Sequence, residues 1–404
     1  MWGCALRINY QLRELEGEQA FFFLSKAREV AKETGKEIIS FGIGQPDFDT
    51  FSHIKEAAKR AIDEGKTGYT ESAGIPELRE TIANYLNKRY GAGVNYKNVL
   101  VTTGGKTAIF LAMVGVVQRD TEVLIVEPSY YAYGQVAKFL GARPIYVPLK
   151  WMGKDIGFEL DLEEVKKRIS PKTSAIVINN PDNPTGNVFE KEKIKALFDL
   201  ARDHNLALIS DEVYDYFVYD GDFFSVTQLG GWTENSVLIQ SFSKTFSMTG
   251  WRLGYLAAKE ELISLLDTMA VNLYSCAPNF VQWAGIEALN GDFSPTYKMI
   301  SEFNERRKLL YNRLSEINGV EAYMPGGAFY MFPRIAEALK STGMSIRDFV
   351  FKLLREKGVL VLPGNSFSSH YGEEFIRLSY ATKREKIERG TELIKEFVEE
   401  HKKD

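Results

Sequence analysis

The stretch Val237-Leu238-Ile239-Gln240-Ser241-Phe242-Ser243-Lys244-Thr245-Phe246-Ser247-Met248-Thr249-Gly250-Trp251-Arg252-Leu253-Gly254 passes from an apolar run into hydroxyls, a lysine, an arginine and glycines. A short apolar run ended by such polar residues reads as a buried strand. The polar tail is then the carboxyl end of that strand, where open parallel sheets bind their ligands. Lys244 becomes a nucleophile there only as a neutral amine, which requires desolvation or a nearby cation, and Arg252 supplies such a charge. A lysine after a strand is by itself an ordinary surface residue. The rest of the chain decides between the two readings.

Working outward, the same pattern recurs at Val99-Leu100-Val101, Glu122-Val123-Leu124-Ile125-Val126, Ala175-Ile176-Val177-Ile178 and Leu206-Ala207-Leu208-Ile209, with helical patterns between. These read as buried parallel strands with crossover helices, an α/β fold whose mainly parallel sheet is flanked by helices. Polar clusters close the strands at 102–107, 128–133, 179–186, 211–214 and 241–244, so consecutive strand ends converge on one crevice. After about residue 290 the pattern changes to a long polar-faced helix over roughly 295–318, then to apolar runs at 328–332, 359–362 and 375–380. That reads as a smaller α+β domain, to which a helix near 20–35 and a strand at 38–41 return. The expected division is a large domain over 48–290 and a small one made of 1–47 with 291–404.

The chain has 404 residues, 45% apolar and 26% charged, with a formal net charge of −4, ordinary values for a globular protein with large cores. No basic block offers a footprint for nucleic acid. Cys4 and Cys276 build no disulfide framework, which suits a reducing compartment, and His53, His204, His370 and His401 lack ligand spacing, which argues against a metal site. The first residues lack a secretory apolar run and no later stretch has the length of a membrane span, so a soluble, cytoplasmic protein is expected.

Each polar cluster carries a chemical reading beside a plainer one. Thr103-Gly104-Gly105-Lys106-Thr107 follows a strand and opens a helix, so backbone N–H groups and the helix dipole face an anion there. It is not a nucleotide P-loop, because Leu100 stands where that motif needs its first glycine. Asp211 at a strand end, with Tyr214 nearby, offers either an anion for a pyridine-ring nitrogen or a helix N-cap. Asn183, held extended by Pro184, offers a fixed amide or only a turn. Among Tyr130, Tyr131 and Tyr133, one ring stacks on a flat cofactor or all pack in the core. Arg377, the lone charge in Phe375-Ile376-Arg377-Leu378, captures a carboxylate in bidentate fashion or forms a buried salt bridge.

Together with Gly42-Ile43-Gly44-Gln45-Pro46-Asp47-Phe48, Tyr69 through Arg79 and Asp211-Glu212-Val213-Tyr214, these segments resemble the class I/II aminotransferases, pyridoxal-phosphate enzymes of fold type I, from Phe41 to Tyr380. The resemblance implies that Lys244 holds pyridoxal 5′-phosphate as a Schiff base and carries the proton of transamination. It further implies that Asp211 pairs with the ring nitrogen, that Asn183 and Tyr214 bond the ring oxygen, and that Tyr130 stacks on the ring. The phosphate falls to Gly104, Gly105, Ser241, Ser243 and Arg252, with Tyr69 coming from a neighbouring subunit of a homodimer. Arg377, Asn183, Tyr130 and the Gly44 backbone would bind the amino acid. The implied reaction moves the amino group of an L-amino acid to a 2-oxo acid, 2-oxoglutarate being expected, in a ping-pong cycle. A carbon–sulfur β-lyase or another pyridoxal-phosphate enzyme of fold type I is the alternative. Lys106 departs from the small hydroxyl or amide residue often found at its place, and its charge suits either the phosphate or the distal carboxylate of a dicarboxylic substrate.

Overall fold

The computed structural model describes residues 8–403, so Cys4 lies outside the described residues. Its centre is a seven-stranded sheet in the spatial order Val99–Thr102, Gly254–Ala257, Ser236–Ser241, Ala207–Asp211, Thr173–Asn179, Glu122–Glu127, Arg143–Pro148. From Ser236–Ser241 to Arg143–Pro148 every pairing is parallel. These strands are buried on both faces, and alternate residues feed opposite cores: Leu124 and Val126 join one cluster, Val123 and Ile125 the other.

Two strands depart from the sequence expectation. Gly254–Ala257 is antiparallel to both neighbours and separates Val99–Thr102 from the parallel set, to which the apolar pattern had assigned it. The connection from Ser241 to Gly254 holds only single helical turns, too little for a parallel crossover, so the chain comes straight back. Arg143–Pro148 forms the sheet edge, and its two prolines hid it, because a strand that lacks N–H donors is tolerated only there.

The C-terminal part builds a three-stranded antiparallel sheet in the order Tyr330–Met331, Ile376–Ser379, Leu362–Pro363, and the long helix is Ser294–Ser315. The apolar run 359–362 splits, its first half pairing in parallel with Ile39–Ser40. Phe41 N–H extends that pairing to the Leu360 carbonyl at 2.8 Å. The N-terminal helix Gln19–Thr34 packs on the same region through Phe23, whose ring lies 5.3 Å from that of Phe351. Its first turn instead reaches the mouth of the crevice at the central sheet. No helix among the described residues is long and apolar enough to cross a membrane.

Candidate active site

A cavity of about 600 Å³ opens at the carboxyl edge of the parallel strands. All five polar clusters reach it: Gly105 and Lys106, Tyr130 and Tyr133, Asn179 and Asn183, Asp211 and Tyr214, and Ser241, Ser243 and Lys244. Gly44, Arg252 and Arg377 line it too. Tyr69 does not; it is 91% exposed on the surface of its own chain.

Lys244 sits in the single helical turn Phe242–Thr245, whose cap is Ser241: the Ser241 hydroxyl accepts from Ser243 N–H at 3.2 Å. That turn aims Lys244 across the cavity, where its amine donates to the Gly44 carbonyl at 2.5 Å. Gly44 is required by crowding, since a Cβ there would collide with the Tyr330 hydroxyl. Desolvation pulls the Lys244 pKa down to about 8, with Arg377, Arg252 and Lys106 adding to the fall and Glu18 opposing it. The amine therefore loses its proton around pH 8, well below an ordinary lysine, which favours the neutral form a nucleophile needs.

Asp211 is 3% exposed and accepts from the Tyr133 hydroxyl at 2.7 Å and from Val213 N–H at 3.3 Å. Burial raises its pKa to about 6, against the pull of those donors and of Lys244. No α-helix begins at Asp211, so its carboxylate faces the cavity rather than capping a helix. Asn179, at the end of the neighbouring strand, donates to the Asp211 carbonyl at 2.9 Å and accepts from Asn183 N–H at 2.8 Å. Asn183 in turn accepts from Arg377 at 3.2 Å. Arg377 also donates to the Gly42 carbonyl and lies against the rings of Tyr330, at 4.6 Å, and Phe367, at 4.8 Å. Its Nε has no hydrogen-bond partner among the described residues although it is buried. A salt bridge, the plainer reading of this arginine, is absent among the described residues.

At the other side chains of the crevice, Gly104 has φ +96°, and a Cβ on it would stand 2.5 Å from the Arg252 guanidinium. The helix Gly105–Val116 starts there with no side chain capping it. Arg252 is itself in the left-handed region and is anchored by the carbonyls of Thr249, at 2.8 Å, and Thr103, at 3.3 Å. Ser241 and Ser243 share a hydroxyl–hydroxyl bond of 2.9 Å beside them. Lys106 points to the mouth, where it pairs with Glu18 at 2.6 Å and donates to the Tyr131 hydroxyl at 3.1 Å. Burial alone would lower its pKa, but Glu18 and Tyr131 outweigh burial and raise it.

The three tyrosines thus divide their work: Tyr133 holds Asp211, Tyr131 holds Lys106, and the Tyr130 ring lines the cavity between them. Sequence reading missed Glu18, Asn179 and Tyr330 as site residues. Asn179 opens the polar cluster 179–186 and Tyr330 lies in the apolar run 328–332, whereas nothing in the sequence around Glu18 signals its contact.

The profile "Aminotransferase class I and II" matches residues 36–394. The chain is 44% identical over 384 residues to the aspartate aminotransferase of Sulfolobus acidocaldarius, covering 95% of this chain and 96% of that one. Its fold matches the aspartate aminotransferase of Thermus thermophilus solved with maleate at a TM-score of 0.90 and 32% identity, over 97% of this chain and 100% of that one. It also matches an aromatic aminotransferase from Pyrococcus horikoshii at a TM-score of 0.85 and 37% identity, over 93% and 99% of the two chains. A mainly parallel sheet with a desolvated lysine at its carboxyl edge, and similarity along nearly the whole length, lead to one conclusion: the chain belongs to the class I and II aminotransferases, pyridoxal-phosphate enzymes that transfer amino groups between amino acids and 2-oxo acids.

Proposed function

We propose that this aminotransferase acts on dicarboxylic substrates, aspartate or glutamate with 2-oxoglutarate as acceptor, using Arg377 for the α-carboxylate and Lys106 for the distal one. The observation that carries the reading is a further cation, Lys106, at the mouth of the cavity that holds Lys244, Arg252 and Arg377. An arginine with an unpartnered buried Nε suits a planar carboxylate. Two relatives point the same way, one named an aspartate aminotransferase and one solved with maleate, a dicarboxylate.

The residues fit pyridoxal phosphate. A buried carboxylate without a cationic hydrogen-bond partner, Asp211, suits a protonated ring nitrogen, and the uncapped helix start at Gly104 and Gly105, with Ser241, Ser243 and Arg252, suits a phosphate. Asn183 and Tyr214 would bond the ring oxygen and Tyr130 would cover the ring. When bound, the cofactor supplies an aldehyde carbon and an electron-withdrawing ring. Lys244 would hold it, and the neutral lysine amine would take the Cα proton of the substrate. Arg377 and Asn183 orient the α-carboxylate, and the Gly44 carbonyl holds the lysine amine.

A homodimer belongs to the same proposal. Tyr69, almost fully exposed on its own chain, would complete the phosphate site of a partner. The division into a large unit, 48–290, and a small one, 1–47 with 291–404, is supported by the placement of the seven-stranded sheet in the first and the three-stranded sheet in the second. Steady-state kinetics of Lys106→Ala test the substrate reading: a loss of about tenfold or more in kcat/KM for aspartate, with a smaller loss for phenylalanine, is expected. Equal losses for both would sink it.

A further inference from the structure

Lys106 already has a carboxylate. Glu18 Oε2 lies 2.6 Å from its amine, and the Tyr131 hydroxyl bonds both partners, to Lys106 at 3.1 Å and to Glu18 at 3.3 Å. Glu18 also lines the cavity itself, with Ala20, Phe21 and Leu24 of the N-terminal helix behind it. Its charge is felt by Lys244, Arg377, Tyr130 and Tyr330, which places it in the field of the substrate site rather than on a remote surface. A distal carboxylate arriving at Lys106 meets that amine already neutralised.

What holds Glu18 is little more than this contact. It stands at the N-cap of Gln19–Thr34, yet its side chain makes no capping bond to its own helix. The pair is partly open to solvent, with side-chain exposures of 47% for Lys106 and 20% for Glu18, so water is at hand to take up a released carboxylate. With the pair closed, the mouth presents a neutralised cation among apolar and aromatic surfaces: the Lys106 amine is 5.9 Å from the Phe21 ring, 5.8 Å from that of Tyr130 and 5.4 Å from that of Tyr131. That surface suits an uncharged or aromatic side chain. With the pair open, the same place offers a free ammonium.

We propose that Glu18 is a specificity-determining residue, an internal carboxylate that occupies Lys106 until the distal carboxylate of a dicarboxylic substrate displaces it, so that one pocket serves both acidic and aromatic amino acids. The inference rests on the assignment of Lys106 to the distal carboxylate. Discrimination then works by competition: acidic substrates must exchange one carboxylate for another, while aromatic ones bind over the closed pair.

Half-transamination and steady-state kinetics of the holoenzyme with aspartate and with phenylalanine test it. Removing the competitor with Glu18→Gln raises the aspartate-to-phenylalanine ratio of kcat/KM about fivefold, the size expected for a partly exposed ion pair, and does so through the KM for aspartate. Glu18→Ala moves the ratio in the same direction. Adding Lys106→Ala to Glu18→Gln abolishes the gain, because the site competed for is gone. An unchanged or lowered ratio in both Glu18 variants, or a gain that survives loss of Lys106, overturns the proposal. If Lys106→Ala selectively harms aspartate while the Glu18 variants leave the ratio unchanged, the competition is wrong and the substrate reading stands. If Lys106→Ala harms both substrates equally, both fall.

Discussion

Asp211 shows how a single buried charge is set against stability. Burial lifts its pKa from 3.8 to about 6, so the folded protein holds its proton more tightly than the unfolded chain does. Its contribution to stability is therefore fully present below pH 3.8 and is lost as pH rises through about 6. Above that window the cofactor-free protein carries a buried anion held by neutral donors with no cationic hydrogen-bond partner, which is what a protonated ring nitrogen needs as its partner. Asp211→Asn is accordingly expected to raise the melting temperature of the apoenzyme at pH 8 and to lose that advantage at pH 4. The same change lowers kcat by about 10²–10³, the usual cost of removing one preorganised electrostatic partner. Thermal scans at the two pH values, beside kinetics at pH 8, check both halves; an apoenzyme destabilised equally at both would show that the carboxylate only supports the fold. Arg377 was legible as the lone charge in an apolar strand, and Asp211 and Asn183 were legible only in company, because each also has an ordinary reading as a cap or a turn residue. Glu18 was not legible, since a glutamate before a helix is commonplace and its partner lies 88 residues away.

At the scale of elements, the strand–turn–helix from Val99 to Val116 builds one end of the cavity. Gly104 turns the chain with φ +96° and leaves room for the Arg252 guanidinium. Gly104→Ala both strains the backbone, which at φ 96° and ψ 170° only glycine adopts readily, by about 1–3 kcal/mol and pushes the arginine away from the helix start. We expect cofactor affinity to fall at least tenfold or so, read as the dissociation constant from equilibrium dialysis. An unchanged constant would remove this turn from the phosphate site. The parallel strands here were readable because burial on both faces leaves an unbroken apolar run. Gly254–Ala257 and Arg143–Pro148 were not, because the first is short and follows a polar loop and the second is interrupted by prolines.

At the scale of the whole molecule, Tyr69 is the residue the isolated chain does not explain. A tyrosine 91% exposed is by itself ordinary, and the proposed homodimer would give it a role at a partner's phosphate site. Tyr69→Phe is expected to weaken cofactor binding by about tenfold, one hydrogen bond to a charged group, with little change in apoenzyme melting temperature. Sedimentation of the holoenzyme should show a dimer. A monomer with full activity, or wild-type cofactor affinity in the variant, would remove Tyr69 from the site.

By itself the sequence determined the layered α/β architecture, the order of the polar strand ends and the chemical types gathered there, because hydrophobic period and turn chemistry are local properties of the chain. It also marked Lys244 as the candidate nucleophile, though only in company. Tertiary structure alone decided which groups face one another: the antiparallel return of Gly254–Ala257, the carbonyl of Gly44 under the lysine, the division of labour among three tyrosines, and Glu18 on Lys106. Contacts between residues distant in the chain depend on how helices and sheets pack, and no local pattern encodes that.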